Sequence, residues 1–144
     1  MVTVAYFDTS VFLKRYVEEP GSRAARDAFR RFRPICSALV TVEATSAIIR
    51  RMRTGEMSEA AATVTLGRVD RDRARLRLID VEVAILARAE SVLRQTVIAT
   101  LDAIHVASAL VLGDRLGWRV PFVTADGRQR AAAERANLEV VWVA

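Results

Sequence analysis

The chain has little cysteine, histidine, lysine, glycine or proline, and each shortage excludes something. Cys36 is the only cysteine among 144 residues, so no intramolecular disulfide can form. Without His or Cys pairs, a zinc site of the usual kind has no ligands. The longest apolar run, Ala103 to Leu112, includes His105 and is bracketed by Asp102 and Asp114. It falls well short of the ~20 residues that cross a bilayer, so no membrane span is expected. The opening MVTVAYFDTS lacks the basic segment and long apolar stretch of a secretory signal, and a reducing cytoplasm is the expected location. No GxSxG elbow, GxxxxGK[ST] loop or GxGxxG turn occurs, which removes serine-hydrolase, P-loop and dinucleotide-binding readings by motif.

What is present suits one compact domain over residues 1–144. Six Gly and three Pro against 52% hydrophobic residues do not describe a linker or tail. A chain of this length buries roughly 68–70% of its unfolded surface and needs no metal or disulfide to fold. Any metal would serve chemistry. Lys14 is the only lysine, so arginine carries almost all the positive charge behind a net +5. That bias fits either a surface that grips phosphate or a GC-rich coding sequence, and composition alone leaves both open.

Apolar patterning alternates strands with helices. Val2 to Phe7 reads as a buried strand that stops at Asp8. Short helices follow at Ser10–Tyr16 and from Ser22 to about Phe32, then a strand at Pro34–Ser37. The spacing of Leu39, Val42, Ser46, Ile49 and Met52 predicts a helix over 38–53 with that stripe inward, closed by Gly55. Ser58 starts a charged helix, and Leu76–Ile79 is a third strand. Asp80 is expected to cap a helix from about Glu82 to Arg94 whose stripe is Val83, Leu86, Ala87 and Val92. Thr100 is expected to cap Leu101–Leu116. A strand at Pro121–Thr124, a helix from about Gly127 to Ala136 and a strand at Glu139–Val143 complete an α/β order. Such an order predicts a parallel sheet covered on both faces, with the working crevice beyond the carboxyl ends of its strands.

Four acids stand in apolar company rather than among other charges. Asp8 follows VAYF, Glu43 lies in SALVTVEATSAII, Asp102 in VIATLDAIHVASALVL, and Asp126 after PFVTA. Asp8 and Asp126 end predicted strands, while Glu43 and Asp102 lie early in helices, so the topology allows all four to gather over one end of the sheet. Taken singly, Asp8 fits a strand terminator and Asp102 a first-turn residue favoured by the helix dipole. Gathered carboxylates repel unless a cation joins them, and an all-oxygen donor set favours Mg²⁺ or Mn²⁺. His105, one turn after Asp102, reads as a satisfied core histidine or one that orients a ligand rather than as a general base, and Cys36 as a small buried residue.

YFDTSVFLKRYVEEPGS, LVTVEATSAI, TLDAIHVASAL and FVTADGRQRAAAE, in this order across essentially the whole chain, resemble a PIN domain of the VapC toxin type. The resemblance implies a PIN-like three-layer α/β/α sandwich around a five-stranded parallel sheet. It also implies a metal-dependent endoribonuclease, the toxin of a type II toxin–antitoxin pair. Its acidic tetrad falls on Asp8, Glu43, Asp102 and Asp126, with Asp8 and Asp102 the surest Mg²⁺ ligands and Mn²⁺ an expected substitute. Water activated by the metal would attack the RNA phosphodiester. Ser10 and Thr124 match polar residues that orient the ligands, and helix capping is their other reading. Implied partners are RNA, a cognate antitoxin and a second copy of the chain. A PIN-fold DNA or flap nuclease and a catalytically silent PIN scaffold are the alternatives. The chain departs from many relatives at Ile98-Ala99-Thr100, where an arginine is common, and at Asn137, where glycine is common.

Overall fold

The computed structural model describes residues 2–144. Five strands form one sheet: β1 (Thr3–Phe7), β2 (Phe32–Ser37), β3 (Arg77–Ile79), β4 (Phe122–Thr124) and β5 (Val140–Trp142). Their order is β3-β2-β1-β4-β5 and every pairing is parallel, as the alternation of strands and helices predicts. Seven helices connect them: α1 (Thr9–Leu13), α2 (Ser22–Arg31), α3 (Leu39–Arg53), α4 (Glu59–Arg73), α5 (Val83–Gln95), α6 (Thr100–Leu116) and α7 (Gly127–Arg135).

Strand alternation sorts the apolar side chains into two cores. Ala5, Phe7 and Val123 point to the layer of α1 to α4, where they meet Phe12, Val40, Ala44, Ile48 and Val69. Tyr6 and Phe122 point the other way, toward Ile85, Ala103, Val106 and Ala133 of α5, α6 and α7. Helices on both faces of a parallel sheet make the expected three-layer α/β/α sandwich. No single helix among the described residues is long and apolar enough to cross a membrane.

Several local expectations are corrected. Asp80 does not cap α5: Glu82 occupies the cap position, makes no side-chain cap bond, and spends its carboxylate on Arg115. Thr100 is already helical, and Ala99 stands at the cap of α6. The buried stripe of α5 is Ile85, Ala89 and Val92, while Val83 and Leu86 are exposed. In α3 the buried residues are Val40, Thr41, Ala44 and Ile48, none of them in the expected stripe. Both helices carry apolar residues on more than one face, so periodicity alone did not choose which one packs. Asn137 adopts φ 59°, a left-handed backbone that asparagine tolerates.

Strand order fixes where a site can form. From β1 the chain first builds outward through β2 and β3, then returns to the other side at β4. The carboxyl ends of β1 and β4 therefore flank the topological switch point, where open α/β sheets hold their ligands. Asp8 follows the last residue of β1 and Asp126 lies two residues beyond β4.

Candidate active site

Asp8 is wholly buried, and three protein donors hold it. Its Oδ1 accepts from Ser10 Oγ at 2.6 Å and from the Val11 amide at 3.1 Å; its Oδ2 accepts from Thr124 Oγ1 at 2.7 Å. Burial pushes the carboxyl above its ordinary range, and the Ser10 and Thr124 hydroxyls oppose that rise. The capping reading of Ser10 and Thr124 is corrected: Asp8 and Asp126 occupy the cap positions of α1 and α7. Ser10 Oγ also accepts from the Ala125 amide at 3.0 Å, which staples β1 to the turn after β4.

Hydrogen bonds link Asp126 and Asp102 to Asp8. Thr124 Oγ1 accepts from the Asp126 amide at 3.0 Å while donating to Asp8. Asp126 Oδ1 caps α7, accepting from the amides of Arg128 at 2.8 Å and Gln129 at 3.1 Å. From the same first turn, Gln129 Nε2 donates to Asp102 Oδ1 at 2.8 Å. Glu43, on α3, belongs to a second set of contacts: its Oε1 accepts from Thr9 Oγ1 at 2.8 Å and lies 2.6 Å from His105 Nε2. Glu43 lines the same cleft as Asp126 and its charge acts on Asp102, so all four sequence-selected acids lie around one site. Thr9, Gln129 and Tyr6 were not singled out from the sequence, because a threonine, a glutamine and a strand tyrosine carry no signal until the fold gives them partners.

The cleft over this constellation is lined by Thr9, Ser10, Leu39, Glu43, Arg50 and Asp126, among others, and has a volume of ≈ 520 Å³. Val42 and Ser46 line it from the exposed side of α3, and Leu39 lines it while also packing against the core of the α5–α7 layer. Larger or better enclosed hollows elsewhere carry none of the four acids. The cleft is electrostatically negative. Asp102 is held above its ordinary range by burial first, with the Gln129 hydrogen bond opposing and the charges of Asp126 and Glu43 adding to it.

A hard divalent cation fits these donors. Protein donors fix Oε1 of Glu43, Oδ1 of Asp102 and Oδ1 of Asp126, and among the described residues none reaches the other oxygen of each. Beside Asp102, the buried Oε1 of Gln129 also has no protein partner. All are oxygens, as Mg²⁺ and Mn²⁺ prefer. Among the described residues, no three acids, His or Cys side chains close around a single point. Mutual repulsion of uncompensated carboxylates opposes that closure.

The PIN domain family profile matches residues 5–135. The chain belongs to the PIN-domain family, in its VapC branch. Ribonuclease VapC46 of Mycobacterium tuberculosis is 33% identical over 137 residues, covering 94% of this chain and 95% of the relative. Two solved structures share the fold at lower identity. A toxin–antitoxin complex from Klebsiella pneumoniae superposes with a TM-score of 0.68 at 16% identity, covering 97% of this chain and 98% of the other. The sarcin-ricin loop cleaving toxin VapC20 of Mycobacterium tuberculosis gives 0.65 at 18%, covering 89% and 94%.

Proposed function

We propose that this chain is a Mg²⁺-dependent endoribonuclease and the toxin of a type II toxin–antitoxin pair, acting in the cytoplasm as a single PIN domain over residues 1–144. The observation that carries the reading is the hydrogen-bond network joining Asp8, Asp126 and Asp102 at the switch point of the sheet, with Glu43 beside it in the same cleft. The name of the 33%-identical relative supports RNA as the substrate class. The toxin–antitoxin complex from Klebsiella pneumoniae, of the same fold, supports an antitoxin partner, and a homodimer is part of the same reading.

In this reading Asp8, Glu43, Asp102 and Asp126 hold the cation, with Mn²⁺ as a substitute. A divalent ion bound there supplies Lewis acidity, lowering the pKa of water and offsetting charge on the phosphodiester. Ser10 and Thr124 keep the Asp8 carboxylate from rotating. Gln129 does the same for Asp102, and the cap bonds of α7 do so for Asp126. Arg50, on the face of α3 that carries Glu43 and Ser46, supplies a cation to the rim where a phosphate must lie. Deep burial and two occupied ring nitrogens keep His105 from acting as a general base.

The test compares single-stranded RNA, its DNA counterpart and a flap substrate of the same sequence, each with Mg²⁺. Cleavage of RNA alone, leaving 5′-phosphate and 3′-hydroxyl ends, is the expected result. Preferential cutting of DNA or the flap would replace the substrate assignment. An intact RNA pool with a folded, cation-binding protein would favour a scaffold.

A further inference from the structure

His105 is the most constrained polar group outside the four acids. It is wholly buried on α6, one turn after Asp102, and the Tyr6 ring meets it edge-on with centroids 6.0 Å apart. Both ring nitrogens are engaged. Nδ1 lies 2.6 Å from the Tyr6 hydroxyl, and Nε2 lies 2.6 Å from Glu43 Oε1 and 3.3 Å from Thr9 Oγ1.

The proton count orders this chain of contacts. A Glu43 carboxylate only accepts, so its short contact requires the hydrogen on Nε2. In a neutral ring Nδ1 is then the acceptor, and the Tyr6 hydroxyl must donate to it. Tyr6 is suited to that role, because burial above all keeps its phenol protonated. Thr9 has one hydroxyl hydrogen and gives it to Glu43 Oε1. Two donors from different elements therefore converge on a single oxygen of Glu43. The other oxygen, Oε2, has no protein donor among the described residues.

Glu43 most needs such a restraint. Asp8 and Asp126 sit in tight turns after strands, but Glu43 projects on a longer side chain from α3, in the layer opposite α6. We infer that His105 is a positioning residue: oriented by Tyr6, its Nε2–H holds Oε1 of Glu43 across the cleft so that Oε2 is presented to the divalent cation. This inference rests on the metal-nuclease reading and assigns a role to a side chain that reading leaves unused. Tyr6 lies two residues before Asp8 on one strand, and His105 three after Asp102 on one helix. The elements that deliver two of the acids thus also deliver the pair that fixes a third.

Because His105 is the only histidine, its imidazole gives one unambiguous pair of ¹⁵N NMR signals. The wild type should show a proton on Nε2, and Glu43→Gln and Tyr6→Phe should each move those signals. Mn²⁺ titration, followed by calorimetry, supplies the second readout. His105→Asn, whose amide cannot reach the Nε2 position, should weaken Mn²⁺ binding about 10- to 100-fold, the range typical for residues that orient metal ligands. His105→Gln, whose amide can reach it, should recover most of the loss, and Tyr6→Phe should fall between Gln and wild type.

A proton on Nδ1 instead of Nε2 would overturn the inference. So would a folded His105→Asn that binds Mn²⁺ within about twofold of wild type, or a loss shared equally by Gln and Asn, which would mark a packing role only. Should His105→Asn fail to fold, Tyr6→Phe decides: unchanged signals and affinity overturn the inference, and shifted signals with weakened affinity support it. Wild type that shows the Nε2–H tautomer yet binds no Mn²⁺ would overturn the metal reading and this inference with it, leaving only the Tyr6–His105–Glu43 hydrogen bonds.

Discussion

Gln129 donates from Nε2 to Oδ1 of Asp102 at 2.8 Å, while its own buried Oε1 has no protein partner. Reversing the amide would set oxygen against oxygen, so this orientation is the one the chemistry selects. An orphaned buried acceptor costs about 1–3 kcal/mol, a cost the fold carries to keep a donor on Asp102. Gln129→Met removes donor and orphan together at similar volume. Its stability in urea denaturation should therefore stay within about 1 kcal/mol of wild type. RNA cleavage should fall by about 10- to 100-fold, as expected when a ligand loses its orienting partner. Cleavage unchanged from wild type would remove Gln129 from the site.

Asp126 has two duties that substitution can separate. One oxygen caps α7, and the carboxylate's charge belongs to the cleft. Asp126→Asn retains a capping oxygen and should melt like wild type while cutting RNA poorly. Asp126→Ala should lose activity and also about 1 kcal/mol of stability, the usual cost of an N-cap. Equal melting temperatures for Asn and Ala would contradict the capping role.

Each site residue was legible to the extent that its signal was local. Asp8, Glu43, Asp102 and Asp126 stood out because unpaired acids in apolar sequence are expensive and need a reason. The layer order followed from strands alternating with helices. Gln129, Thr9 and Tyr6 were not legible, because their partners lie 27, 34 and 99 positions away. The packing faces of α3 and α5 were misjudged for a related reason. In α3 Leu39 and Val42 line the cleft that holds Glu43, while Met52 of the same stripe packs on the core, so the stripe is divided between site and core.

Glu19 supplies a pH signature independent of the site. Its Oε1 lies 2.9 Å from Lys14 Nζ and its Oε2 2.6 Å from Arg51 Nη2, tying the segment after α1 to the end of α3. Burial pushes its carboxyl up, but the hydrogen bonds and charges of Lys14 and Arg51 outweigh burial and leave it below the ordinary value. A lowered folded-state pKa means the unfolded chain binds the proton more readily. The stabilisation is therefore present above the unfolded value of about 4.3 and is lost as pH falls through the folded one. Glu19→Gln should cost about 1–3 kcal/mol at pH 7, with the difference from wild type shrinking below about pH 4. Asp8 and Asp102, whose carboxyls are raised, act in the opposite direction and cancel when the two proteins are compared at each pH. A difference that stays constant from pH 7 to pH 3 would contradict the pairing.

Divalent ions should stabilise the folded chain directly. A ligand that binds only the native state adds about 2.7 kcal/mol at 100 times its dissociation constant. Melting temperature should thus rise with MgCl₂ or MnCl₂ beyond the effect of NaCl at equal ionic strength, and Asp102→Asn should blunt the rise. Equal effects of NaCl and MgCl₂ would mean only general screening.

The most direct test of the central claim sets wild type against Asp8→Asn on a mixed RNA pool, with Mg²⁺, with Mn²⁺ and with EDTA. Asparagine preserves size and an acceptor oxygen, so the variant should fold as wild type does, with matching circular dichroism. Cleavage by wild type in Mg²⁺ or Mn²⁺, abolished by EDTA and absent in Asp8→Asn, is the predicted result. Cleavage that survives in folded Asp8→Asn, or that proceeds equally in EDTA, would contradict the assignment of this carboxylate constellation as a metal-dependent active site.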